Sequence, residues 1–177
     1  MNTSSTGGYV SQTNPADTQA QILSKMHDLV VGITGLDKKL VRPRWQNIIP
    51  TMPEVGVDWV AFGVDSIKKN EPSITHSPDD TDTLTRHDGV SFVFSFYGNN
   101  GLEKAQSFID GVGIPQNTET MRAQGIGLVE CTDITISADL INDQWQRRYD
   151  IRMYFNIRID RTYPIQNILT APVAVFS

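Results

Sequence analysis

Residues 144–160 read Gln144-Trp145-Gln146-Arg147-Arg148-Tyr149-Asp150-Ile151-Arg152-Met153-Tyr154-Phe155-Asn156-Ile157-Arg158-Ile159-Asp160. Every second residue from Trp145 to Ile159 is apolar except Arg147, and the intervening set is polar except Tyr154. Side chains on a strand alternate between faces, so this spacing predicts a half-buried β-strand. Neither Gly nor Pro interrupts it. At about 3.3 Å per residue the run would extend roughly 55 Å, beyond the usual strand length. A small domain covers such a strand alone only if the strand bends sharply, so part of it is expected to serve a neighbouring subunit. Arg147 breaks the apolar face. It predicts either a bulge that flips the local register or a buried arginine with a specific partner.

The rest of the chain supplies further strands in blocks. Val90, Phe92, Phe94 and Phe96 alternate along a second strand over residues 83–97 and mark a core face. Residues 58–67 predict an earlier strand with apolar groups on both faces (Trp59, Val60, Phe62, Val64), hence a central position. Residues 126–136 predict another, followed by a loop over 137–143, and the apolar tail over 165–177 a short last one. Between 68 and 82 the sequence is polar and reads as a loop or a hairpin with a mobile tip.

Helices are predicted in two places. Ile22, Leu23, Met26, Leu29, Val30 and Ile33 form one apolar stripe. Asn14 is a candidate cap for it, Pro15 suits the first turn, and Gly32 and Gly35 mark its end. A helix pair follows Asn99 and Asn100. The first has Glu103 placed for a capping box and a stripe of Leu102, Ala105, Ile109 and Val112; the second runs from Pro115 to a stop at Gly125. Blocks of strands with few helices favour α+β: a mostly antiparallel sheet with the N-terminal helix and the helix pair on one face. Residues 1–13 are Ser, Thr, Gly and Asn around Tyr9 and Val10, and read as a flexible arm with Tyr9 as its anchor on a partner. Residues 14–177 read as a single domain.

Composition narrows the function. The formal net charge is −5, which argues against a generally basic nucleic-acid binder. Cys131 is the single cysteine, which rules out an internal disulfide and a multi-cysteine metal site. No apolar run approaches membrane-spanning length and no signal segment opens the chain, so it is expected to be made and used without crossing a membrane. Asp79, Asp80, Asp82 and Asp88, with His76 and His87, are a conceivable metal cluster. The spacing fits no calcium loop, because the central Gly and terminal Glu are missing, so a solvated acidic loop is the better reading. Gly125-Ile126-Gly127 precedes a strand instead of following one and is no dinucleotide fingerprint. No GxSxG, HExxH or P-loop pattern occurs, so no catalytic, metal or cofactor site is expected.

Arg147, Arg148, Arg152, Arg158 and Arg161 concentrate positive charge in the long strand. One reading is a nucleic-acid-binding module that uses the cluster from Arg147 to Arg161 on phosphates. Asp150 and Asp160 are interleaved with it, which favours ion pairing within the fold or between subunits.

Six short stretches occur in a specific order: Arg42-Pro43-Arg44-Trp45-Gln46, Trp59-Val60-Ala61-Phe62-Gly63, Phe96-Tyr97-Gly98, Gly113-Ile114-Pro115-Gln116-Asn117, Trp145 with Arg147-Arg148, and Arg161-Thr162-Tyr163-Pro164 with Asn167-Ile168-Leu169. Together they resemble the neck or tail terminators of tailed bacteriophages, over most of the chain from about Arg42 onward. The resemblance implies a non-enzymatic virion protein made in the host cytoplasm. It implies a ring, typically a hexamer, at the head–tail junction. Its partners would be copies of itself, the head-side connector, and tail tube or sheath proteins. The genome would pass through the lumen on ejection without sequence-specific binding. No catalytic residue, metal or cofactor comes with the family. The expected interface residues are Tyr9, Arg42, Arg44, Trp45, Asp80, Asp82, Arg147, Arg148, Arg152 and Arg158.

Overall fold

The computed structural model describes residues 6–14, 19–48, 50–70, 73–77, 81–141 and 143–165. The first-turn residue Pro15, the acidic residues Asp79 and Asp80, and the apolar tail from Gln166 onward lie outside them. In chain order come α1 (Gln19–Thr34), a 3₁₀ turn (Lys38–Leu40), β1 (Val41–Pro43), β2 (Trp59–Lys68), β3 (Ile74–His76), β4 (Asp82–Tyr97), α2 (Gly101–Val112), α3 (Pro115–Ala123), β5 (Ile126–Cys131), β6 (Thr135–Ile141) and β7 (Gln144–Tyr163). The strands form one sheet ordered β1-β2-β4-β7-β5, with β3 added to β4 and β6 to β7. Among the described residues only β1 and β2 run parallel. The fold is α+β, as the block pattern of strands predicts.

The central pair is β4 with β7, in unbroken register from Asp82 opposite Tyr163 to Tyr97 opposite Arg148. Its inner face is the alternation read from the sequence. Phe92, Phe94 and Phe96 of β4 and Met153, Phe155 and Ile157 of β7 are fully buried. Against them pack Ile22, Met26 and Val30 of α1 and Ala105, Phe108 and Val112 of α2. Fully burying each large apolar side chain contributes about 1.5–3 kcal/mol, so this sheet–helix layer dominates the stability. Phe108 is the centrepiece of α2, with ring centroids 4.9 Å from Phe94 and 5.8 Å from Phe96. The predicted stripe is therefore rotated: Leu102 is exposed and Ile109 only partly buried, while Gly101, Ala105, Phe108 and Val112 face inward.

Several expectations are corrected. Both hydrogen-bonding edges of β7 are occupied within the chain, by β4 on one side and by β6, then β5, on the other. Thr13 continues that second edge by donating its N–H to Thr162 O at 2.8 Å. Asn14 Oδ1 accepts from Thr162 N at 2.7 Å, and the helix start it was expected to cap lies outside the described residues. Arg147 is neither bulged nor buried. It lies in continuous register opposite Ala138 and is exposed, as is Trp145. The helical layer explains this. It ends where Gly101 meets the Tyr149 ring, so the odd-numbered face of β7 is bare beyond that point.

The predicted loop over 137–143 is instead strand β6, a hairpin with β7 in which Ile141 pairs with Gln144 and Asp143 takes a left-handed φ of 60°. Residues 41–43 join the sheet as an edge strand, where Pro43 is tolerated at the strand end. Asn100 forms no side-chain cap on α2; its N–H and Nδ2 both donate to the Asp58 carboxylate, at 2.8 and 2.9 Å.

Candidate assembly surface

The sheet face turned away from the helices carries Trp59, Ala61 and Gly63 of β2, Ser95 and Tyr97 of β4, and Arg148, Asp150 and Arg152 of β7. After β1 the chain folds over this face. Arg44 N–H donates to Phe62 O at 2.7 Å, extending the β1–β2 pairing by one residue. At Trp45 the backbone turns through a left-handed φ of 56°, a conformation that costs a bulky residue on the order of 1 kcal/mol. The indole then packs against Gly63: a Cβ there would come within 2.5 Å of the ring. A larger residue at 63 would push the Trp45 ring off this seat.

A groove of about 340 Å³ opens beside this turn, between Arg42, Trp45, Pro50 and Met52 on one wall and Trp59, Tyr97, Asp139 and Arg148 on the other. Trp59 and Tyr97 stack with centroids 4.2 Å apart and planes 4° from parallel. The Arg42 guanidinium sits 6.0 Å above Trp59, while its Nε donates to Lys39 O at 3.0 Å. Trp45 stays 67 % exposed, so the groove's outer lip is aromatic and open to solvent. Arg44 Nε and Trp59 Nε1 are buried with no acceptor among the described residues.

Beneath the groove lies a connected polar network. Arg44 donates to Ser95 Oγ, which donates to Asp150. Arg148 Nε donates to Asp150 at 2.9 Å and its Nη1 to Asp139 at 2.7 Å, and Tyr97 Oη donates to Asp139 at 3.0 Å. Burial alone would lower the Arg148 pKa, but the hydrogen bonds and charges of Asp139 and Asp150 outweigh it and raise it. Burial, with help from the Asp139 charge, pushes the Tyr97 phenol up to about 12 from 10.

The linkage sign follows. Tyr97 has a higher proton affinity folded than unfolded, so its contribution is fully present below pH 10 and is lost as pH rises toward 12. Alkaline unfolding should therefore start at lower pH in the wild type than in Tyr97→Phe, compared from each protein's own neutral-pH stability. Matching pH profiles for the two would contradict the shift.

The structure gathers some of the predicted residues and scatters others. Arg42, Arg44, Trp45 and Arg148 meet at the groove or directly beneath it. Arg152 stands further along the same face, paired with Asp65 at 3.2 Å. Arg158 is paired with Asp160 at 2.9 Å near the far end of β7, and Asp82 lies there too, opposite Tyr163. Arg147 sits on the opposite face, and Tyr9 is 98 % exposed in the arm. Asp80 is among the residues not described. Asp150 pairs with Arg148, as its place among the arginines suggested, whereas Trp59, Tyr97 and Asp139 were not singled out as interface residues. The polar Ser95 on the back of an all-Phe strand was the available signal that something polar lies beneath that face.

The acidic stretch does not build a metal site among the described residues. Asp88 is buried and holds Arg86 through two bonds of 2.8 and 3.0 Å. A broader cleft of about 710 Å³ near Arg158 mixes Lys25 and Arg122 with Asp160, and Lys25 Nζ is bound to Gln124 O. Cys131 is half-buried, and burial pushes its thiol up, away from nucleophilic character.

Four of the six sequence stretches that carry the resemblance thus converge on one side of the sheet or on the turn beside it. A family model described as phage neck terminator protein matches residues 20–177. The chain belongs to that family. No curated protein matches it significantly. A phage neck terminator is a structural protein of the virion that meets other head and tail proteins at the head–tail junction. No helix among the described residues is long and apolar enough to cross a membrane.

Proposed function

We propose that this neck terminator closes into a ring, a hexamer, that caps the tail tube and joins it to the head connector. The genome passes through its lumen without sequence-specific binding. Residues 14–177 form the ring-building domain, and the arm over residues 1–13, with Tyr9, reaches a partner.

The observation that carries this reading is the open aromatic groove over residues 42–52. It is lined by side chains from five strands, and the ion pairs beneath it are closed within the chain. An exposed Trp beside a pre-paired arginine is the arrangement found where interfaces concentrate their binding energy. Three of the five clustered arginines hold carboxylates instead: Arg148 with Asp139 and Asp150, Arg152 with Asp65, Arg158 with Asp160. Neutralised cations release few counterions, which disfavours the nucleic-acid-binding reading and suits a conduit for DNA.

Trp45→Ala tests the groove. It should reduce ring formation at least tenfold, read by mass photometry or particle imaging, while melting shifts by only a few degrees. Undiminished rings in this variant would remove the groove from the interface. Firm, salt-dependent DNA retention that weakens on replacing Arg148, Arg152 and Arg158 would favour the rival reading.

A further inference from the structure

The β6–β7 hairpin projects past the helical layer with one face bare. On it Leu140 lies opposite Trp145, and Ile136 follows on the same face of β6 beyond Ala138; Ile136, Leu140 and Trp145 are 63 %, 58 % and 74 % exposed. Among the described residues β6 pairs only with β7, so its outer edge offers a row of free N–H and C=O groups. An apolar strip along an open strand edge is the arrangement that takes an added β-strand.

We propose that the occupant is the tail over residues 166–177 of a neighbouring copy, laid along the outer edge of β6 as an additional strand. This rests on the ring reading above. Three observations select the tail. Residues 166–177 contain no charged residue and include Val173 and Val175 at the alternate spacing that puts both on one strand face. The tail also leaves from the wrong end of the molecule to reach its own hairpin. β7 is 20 residues long, with Trp145 second and Tyr163 last, so these two stand about 60 Å apart. The unbroken β4–β7 register gives no bulge that would fold the strand back. From Tyr163 the fourteen residues to Ser177, at about 3.4 Å each, span only ~48 Å, so the tail falls short of Leu140 and Trp145 in its own copy. Finally, the arm is the poorer candidate. It departs from the same far end, where Thr13 is bonded to Thr162, and is built of Ser, Thr, Gly and Asn around Tyr9 and Val10.

Cysteine cross-linking on the full chain tests this, with Cys131→Ser as background. Chains carrying Leu140→Cys are mixed with chains carrying Val175→Cys, and, separately, with chains carrying Val173→Cys. Both are compared with the double variants under mild oxidation. The expected result is covalent dimers from a mixture and a ladder of covalent multimers from a double variant, with the linked peptides confirmed by mass spectrometry. Rings that assemble but yield no such link with either tail position would overturn the proposal while leaving the ring reading intact. So would a double variant that closes within one chain, or Tyr9→Cys linking to Leu140→Cys in place of the tail. A wild-type chain that forms no ring at any concentration and is absent from purified virions would remove both.

Discussion

Phe94→Ala is expected to cost about 3–5 kcal/mol of folding stability, measured by urea denaturation at neutral pH. The ring is fully buried and touches aromatic neighbours on three elements: Phe62 across the sheet at 6.2 Å, Phe92 on its own strand at 6.0 Å, and Phe108 on α2 at 4.9 Å. Truncation removes the transfer free energy of the ring and leaves a cavity. A regular sheet under a packed helix cannot collapse to fill it. A domain of this size has a total stability of roughly 5–15 kcal/mol, so the variant should lose most of its margin. A loss below about 1 kcal/mol would mean that α2 does not pack on β4 as described.

Gly98→Ala is expected to be the second most damaging single change, although it adds only a methyl group. Gly98 follows β4 with φ at +102°, a region that L-residues rarely adopt. A Cβ there would lie 2.5 Å from both Asp58 Cα and Val57 O, backbone atoms that cannot swing aside. Strain of that kind costs on the order of 1–3 kcal/mol, and the steric overlap adds to it. The damage should spread, because Asp58 also receives Asn100 N–H and Nδ2 at the start of α2. A melting temperature within 2 °C of wild type, on the order of experimental error for a domain this size, would show that this turn can relax. The same geometry explains why Gly follows Phe96 and Tyr97: the chain must pass close over residues 57–58 before it enters α2.

Much of the fold could be read from alternation alone. The paired core faces of β4 and β7 were visible because a buried face demands apolar residues at period two and nothing else in the sequence imitates that run. What the alternation could not show was where the helices stop. Trp145 has the same parity as Tyr149, yet one is bare and the other buried, and only the position of Gly101 against the Tyr149 ring separates them. Arg147 looked anomalous for the same reason. It is an ordinary exposed residue on a face that is core only further along the strand.

Most of the hairpin strand β6 was missed because its apolar residues other than Ile141 are exposed, so residues 137–141 read as part of a loop. The groove was half legible. Arg42, Arg44, Trp45, Arg148 and Asp150 stood out individually, but Tyr97 and Asp139 belong to it through cross-strand register, which a single strand's sequence does not carry.

The long β4–β7 pair also bears on how the chain reaches this state. Tyr97 and Arg148 are partners at one end of the ladder, Asp82 and Tyr163 at the other, with both later helices and two strands between them in sequence. The β6–β7 hairpin closes across a tight turn and can form within microseconds, whereas joining β4 to β7 first requires closing a loop that contains α2 and α3. Every pair added after that closure lies further apart in the chain than the last. Such a high contact order makes assembly of the central ladder the slow, late event of folding, on a timescale of milliseconds to seconds. Until it completes, β7 is a 20-residue strand with one edge unguarded. A chain destined for a multi-subunit assembly must therefore finish its own sheet before it meets its neighbours, or offer them the wrong edge.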